Sequence, residues 1–155
     1  MALLNAHQGV IHRISRTYAT GPVDRQDLFQ EIVYQLWRSY PSYRHESGPI
    51  TWLYRVALNT ALTAARRGAR RPRLVPLESA PEPAAPPAPV HDPEAAALNR
   101  AIGRLEAIER AVLMCYLEDL SYARIGEILG ISESNVGVRL TRIRTKLRVL
   151  IGDVE

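Results

Sequence analysis

The sequence has one cysteine, one phenylalanine and one lysine among 155 residues. A single thiol, Cys115, makes no internal disulfide and no cysteine-cluster metal site. It lies in the apolar run Val112-Leu-Met-Cys-Tyr-Leu117, where it reads as a small core side chain. No histidine stands near it to serve as the base that a catalytic thiol needs. The four histidines, His7, His12, His45 and His91, have no metal-ligand spacing. A glycine-rich phosphate loop and a nucleophile–base pair are both missing. The sequence therefore predicts a non-catalytic protein with no metal and no cofactor. It has no apolar run of about 18 residues, the length needed to cross a bilayer, so no membrane insertion is expected. The first residues lack a secretory h-region, and the expected setting is reducing and cytoplasmic. Aromatic residues make up only 6 % of the chain. Valine and isoleucine do not gather in alternating runs, which argues against sheet.

Leucine, alanine and arginine dominate instead, a composition suited to helices. The formal net charge is +4, and nineteen of the twenty cationic side chains are arginine, the residue best shaped for bidentate phosphate and base contacts. The charge is local. Residues 1–71 carry ten basic and four acidic side chains, residues 72–97 one and four, and residues 98–155 nine and eight. Eight of the eleven prolines fall between Pro72 and Pro93. Proline removes backbone donors and blocks helix, so residues 72–94 are expected to form an extended or disordered acidic linker. The expected fold class is all-α: two small helical domains, residues 1–71 and 95–155, joined by this proline-rich linker.

The N-terminal block reads as three helices. The first spans Leu3 to Ala19, with Val10, Ile14 and Tyr18 on one face. The second starts with Asp24 as N-cap and Asp27 in the first turn. In it Leu28, Phe29, Ile32, Val33, Leu36 and Trp37 make a wide apolar face, opposite Asp27, Gln30, Glu31, Tyr34, Gln35 and Arg38. The third runs from Ile50 to Arg67. Its inner stripe is Leu53, Val56, Ala57, Thr60, Ala61 and Ala64, and Arg55, Asn59, Thr63, Arg66 and Arg67 lie outside. The loop Tyr40-Pro-Ser-Tyr-Arg-His-Glu-Ser-Gly-Pro49, followed by Trp52, supplies aromatic faces beside hydrogen-bonding groups. An unstacked, single-stranded base needs that combination. On composition alone the better reading is that these aromatics pack back onto the core.

In the C-terminal block a helix or helix pair across Ala95–Leu117 precedes two short helices joined by a glycine turn. Ser121 and Ser132 are placed to cap them, and Gly130 sits where the chain turns. Val136, Leu140, Ile143 and Leu147 form one buried stripe of the last helix. Its other faces carry Arg139, Arg142, Arg144, Lys146 and Arg148, with no acid between Val136 and Leu150. A helix-turn-helix with a basic second helix is suited to a DNA major groove.

Three motifs carry a family resemblance. Asp24-Arg-Gln-Asp-Leu-Phe-Gln-Glu-Ile-Val-Tyr-Gln-Leu-Trp37 resembles region 2.2 of bacterial sigma factors, and Ile50-Thr-Trp-Leu-Tyr-Arg-Val-Ala-Leu-Asn-Thr-Ala61 resembles their regions 2.3 to 2.4. Leu117 to Arg144 resembles region 4.2, and the two-domain length resembles the extracytoplasmic-function group. The resemblance implies an initiation subunit that binds core RNA polymerase and promoter DNA and is held by an anti-sigma factor. It carries core binding onto Asp27, Gln30, Glu31 and Gln35. Capture of a flipped base of the −10 element falls on the loop with Tyr43, Arg44 and Ser47, on Trp52, Arg55 and Asn59, with Arg66 and Arg67 on phosphates. The −35 element falls on the second helix of the helix-turn-helix. There Ser132, Glu133, Ser134 and Asn135 stand at its N-terminus, Arg139 is assigned to a guanine, and Arg142 and Arg144 to the DNA backbone. The acidic linker would lie near the polymerase's RNA exit path. The chain departs from many relatives at Gly137: either the backbone approaches DNA closely there, or that base pair goes unread. A stand-alone helix-turn-helix regulator would explain residues 117–148 but not the N-terminal motifs. A protein-interaction adaptor without DNA function is the third reading.

Overall fold

The computed structural model describes residues 2–70 and 92–152, and among these all regular structure is helical. The N-terminal block consists of α1 (Ala2–Ala6), α2 (Gln8–Tyr18), α3 (Pro22–Ser39), a 3-10 turn (Tyr40–Ser42) and α4 (Pro49–Arg70). The C-terminal block consists of α5 (Pro93–Gly103), α6 (Ala107–Leu117), α7 (Tyr122–Leu129) and α8 (Glu133–Gly152). The expected linker, and with it the RNA-path assignment, lies outside the described residues.

The apolar stripes do what their spacing predicts. Ile11 and Ile14 of α2, Leu28, Ile32 and Leu36 of α3, and Leu53, Ala57 and Ala61 of α4 are buried together. Four details differ from expectation. The first helix breaks at His7, whose φ,ψ of −122°, 22° leave the helical region. The second begins at Pro22 with Gly21 as N-cap, so Asp24 stands inside the first turn and does not cap it. Proline suits that first position because its missing N–H is one the helix leaves unpaired. Trp37 turns outward at 67 % exposure, and Ala64 is exposed.

Helix α4 is buried on a second side as well. Tyr54, Leu58 and Leu62, at i, i+4 and i+8, are buried too, and α4 packs against α6 and α7 as well as against α2 and α3. The two blocks thus share one junction. Tyr18 donates its hydroxyl to the Ala107 carbonyl (2.6 Å). Arg110 donates to the Thr17 carbonyl (2.8 Å), with its guanidinium 4.9 Å from the Tyr18 ring centre. Arg13 pairs with Glu118 at 3.0 Å. Burial pushes the Tyr54 phenol up to about 12 and the Cys115 thiol up to about 12, and raises the Tyr18 phenol further.

Within the C-terminal block Asp92 caps α5 by accepting the Glu94 N–H (2.9 Å). The Ala95–Leu117 stretch resolves into two helices because α6 starts afresh with a capping box, the Glu106 N–H donating to Glu109 Oε2 (3.0 Å). Glu109 is buried and also holds the Lys146 ammonium at 2.5 Å. Burial raises its carboxyl pKa, but Lys146 and the Glu106 N–H outweigh that and hold it below the usual range. A carboxylate depressed in this way contributes stability above its unfolded pKa and loses it as pH falls through the folded value. Glu109→Gln keeps the cap and removes the charge. It should cost about 0.5–1 kcal/mol at neutral pH, the scale of a half-exposed ion pair. Thermal melts of the two proteins should converge at acid pH; a gap independent of pH would refute this account.

The helix-turn-helix forms from the expected caps. Ser121 Oγ accepts the Arg124 N–H (3.2 Å) and Ser132 Oγ the Asn135 N–H (3.1 Å). Gly130 adopts the left-handed φ of +70°. A second glycine is as important: a Cβ on Gly126 would sit 2.5 Å from the Ile131 carbonyl oxygen. That approach lets the Ile131 N–H donate to the Gly126 carbonyl (3.0 Å), which closes the turn. Val136, Leu140 and Ile143 are fully buried beneath α8 and Leu147 partly so.

Candidate nucleic-acid and partner interfaces

Helix α8 exposes Ser132, Glu133, Ser134 and Asn135 at its start, and the Ser132 and Ser134 hydroxyls lie 3.2 Å apart. Asn135 Oδ1 accepts from Arg139 Nε (2.8 Å), which orients that side chain, and among the described residues its terminal guanidinium nitrogens make no hydrogen bond. A guanidinium held by its Nε and open at its fork is arranged for a bidentate acceptor. Arg142 is exposed on the same side of the helix. Arg144 is not: it lies on the opposite flank, bonded to the Tyr116 hydroxyl (3.1 Å) and stacked over that ring (5.4 Å). The three arginines assigned together therefore divide, Arg139 with Arg142 and Arg144 apart. At Gly137 an added Cβ would meet the Tyr122 ring at 3.6 Å, an ordinary contact. Packing does not demand glycine there, and a longer side chain at that position would run along Tyr122.

In the loop before α4, Tyr43 stacks on Trp52 (centroids 4.8 Å, 29° between planes) and donates its hydroxyl to the Ser47 carbonyl (2.5 Å). Trp52 is buried beneath it. For the indole, the packed-back reading from composition holds. The aromatic surface facing outward is made by Tyr43, half-buried, by His45, 4.3 Å from it, and by Tyr40, which is exposed. His45 holds a φ of +59°, a strained value for a residue with a side chain. Tyr40 and His45 were not among the assigned residues, although their aromatic character within the loop was a signal for them. Arg44 is exposed at the loop tip.

On α4, Arg55 donates to the Glu127 carbonyl of α7 (3.1 Å), with the Glu127 carboxylate at 3.8 Å. It is therefore engaged at the junction between blocks. Asn59, Arg66 and Arg67 are exposed. Asn59 and Arg67 line an open groove of about 980 Å³ between α3 and α4, whose opposite wall carries Asp24, Asp27, Glu31 and Gln35. Residues assigned to two different partners thus face each other. The carboxylate wall repels a DNA backbone. Gln35 Nε2 donates to Glu31 Oε1 (2.9 Å) along that wall. Gln30 stands apart, in an apolar groove of about 410 Å³ with Leu4, Phe29, Val33, Tyr34 and Trp37. Among the described residues no cluster of three or more His, Cys, Asp or Glu could hold a metal, and no helix is long and apolar enough to cross a membrane.

The fold and these surfaces define a two-unit helical protein whose C-terminal unit is a basic helix-turn-helix. Residues 3–71 match the model of sigma-70 region 2, and residues 95–147 that of sigma-70 region 4. The chain is 30 % identical over 151 residues to the ECF RNA polymerase sigma factor SigM of Mycobacterium tuberculosis, covering 97 % of this chain and 76 % of SigM. It is 30 % identical over 156 residues to the sigma factor CarQ of Myxococcus xanthus, covering 96 % and 84 %. The solved sigma factor RpoE from Bartonella quintana, in complex with the anti-sigma factor NepR, shares the fold with a TM-score of 0.72 at 18 % identity, covering 96 % of this chain and 94 % of RpoE. The chain belongs to the extracytoplasmic-function group of RNA polymerase sigma factors, the alternative sigma factors that direct promoter-specific transcription initiation.

Proposed function

We propose that this chain is a non-catalytic, cytoplasmic initiation subunit that docks on core RNA polymerase through Asp27, Glu31 and Gln35 of α3. In this reading the loop before α4, with Tyr43, reaches the −10 element, and α8 reaches the −35 element. The observation that carries it is the division of surfaces: a basic helix with no acid between Val136 and Leu150 in one block, and an exposed carboxylate wall beside polar and cationic groups of α4 in the other. The boundaries proposed for the two units are residues 1–71 and 95–155. A partner of the anti-sigma kind is supported by RpoE, which was solved with one.

The geometry bears on how two elements could be reached at once. A chain of this length packed as one body is roughly 40 Å across. Duplex positions 25 base pairs apart are about 85 Å apart at 3.4 Å per step. The packed arrangement is too short for both. Both are reached together only if α4 and α7 separate. Separation would release Arg55 from Glu127.

Reconstitution with core polymerase, followed by mapping of start sites, tests the reading. Core-dependent initiation at one promoter class is expected. A chain that binds promoter duplex tightly alone and ignores core enzyme would instead be the stand-alone regulator. On a mapped promoter, Arg139→Ala should weaken initiation by about 1–3 kcal/mol, the range for one bidentate base contact. Unchanged run-off synthesis would remove Arg139 from the reading set.

A further inference from the structure

Three features of α8 converge on one side chain. Val138 is a branched apolar residue left 50 % exposed. Helical spacing puts Ser134, Val138 and Arg142, at i, i+4 and i+8, on a ridge directly opposite the buried stripe of Val136, Leu140 and Ile143. All three are exposed, and Val138 is the only apolar one. The neighbouring position offers nothing to a ligand, since Gly137 has no side chain and lies beside Tyr122. Arg139 sits to one flank, drawn back along the helix by Asn135.

We infer that Val138 is a specificity-determining residue that reads the 5-methyl group of a thymine in the major groove of the upstream promoter element. The inference rests on the reading of α8 as the −35 helix. The thymine methyl is the one apolar feature that a base pair presents in the major groove, and it is met by apolar side chains. Val138 is the sixth residue of α8 and so falls in the N-terminal half, the part of a recognition helix that contacts base edges.

The test uses the full chain with core polymerase on a promoter obtained by start-site mapping. Each thymine of the upstream element, on either strand, is replaced in turn by deoxyuridine, which removes only the methyl. At one position the wild-type holoenzyme should lose about four-fold in promoter binding, the effect of one buried methyl group. Val138→Ala should lose a comparable amount on thymine and nothing further on deoxyuridine, with core affinity and melting unchanged. Indifference of the wild-type protein to every deoxyuridine overturns the inference. So does a deoxyuridine penalty that persists in Val138→Ala, or a Val138→Ala defect in core affinity. If scrambling the whole upstream element changes nothing, the −35 reading of α8 fails, and that outcome is distinguishable from the others.

Discussion

Gly126→Val is expected to unfold the helix-turn-helix and abolish initiation that depends on the upstream element. Even a single Cβ at this position would stand 2.5 Å from the Ile131 carbonyl oxygen. That oxygen belongs to the backbone of the turn between α7 and α8 and cannot swing aside as a flexible side chain would. Moving it also strains the Ile131 N–H bond to the Gly126 carbonyl (3.0 Å) and the register of Ser132, which caps α8. Valine adds two methyl groups to an interface where Ile125, Ile128 and Val136 are already fully or almost fully buried. The expected cost is about 3 kcal/mol, the upper range for overpacking. A helical unit of some 60 residues has only about 3–9 kcal/mol of stability in total. Circular dichroism melts should show the loss, and run-off synthesis should fall with it. Gly137→Ala is the control: an added Cβ there makes only ordinary contact with Tyr122, and alanine favours helix by roughly 1 kcal/mol. If Gly126→Val melts like the native protein, the close approach is not what holds the turn.

Reversing charge at Asp27 and Glu31 is expected to lower affinity for core polymerase at least about 100-fold while the fold survives. Both side chains are exposed, so neither arginine has to enter the core. Among the salt bridges of the described residues neither takes part, and the one side-chain bond lost is that from Gln35 to Glu31. A partner complementary to this wall meets repulsion where it had attraction, and like charges juxtaposed across an interface cost several kcal/mol. The reversed wall would also face Arg67 across the groove. Pull-down with core enzyme reads the affinity, and thermal melting reads the fold. Undiminished binding takes these carboxylates out of the interface. A lowered melting temperature shows that they serve the structure instead.

Most of the architecture was legible because it depends on local rules. The stripe Val136, Leu140, Ile143 and the serine caps at 121 and 132 follow from helical period and from side-chain oxygens that can accept a backbone N–H, whatever the rest of the chain does. What could not be read depends on elements distant in sequence. Tyr54, Leu58 and Leu62 form a second stripe at regular spacing, but α6 and α7, which pack against α4, begin more than forty residues later. Arg55 had the look of a DNA ligand, and its bond to the Glu127 carbonyl spans 72 positions. Composition favoured Trp52 packing back and only the family resemblance assigned it to a base; that Tyr43 is the ring stacked on it required the fold. Gly126 passed for an ordinary helix residue because closeness to a backbone oxygen leaves no trace in composition. The sequence placed the assigned residues on the elements where the structure has them. The division of Arg139 from Arg144, and of Gln30 from Asp27, required the packed side chains.

The buried thiol turns opening of the junction into something that can be measured. Cys115 is fully buried on α6, one of the two helices that pack against α4 of the other block. A thiol pushed up to about 12 is almost wholly protonated at neutral pH, and reagents that attack thiolates should leave it alone. Where reclosing is fast, its labelling rate equals the fraction of molecules transiently open multiplied by the intrinsic rate of a free thiol. With no second cysteine to blur the signal, the rate of colour release from a disulfide reagent reports the fraction of molecules in which the thiol is exposed.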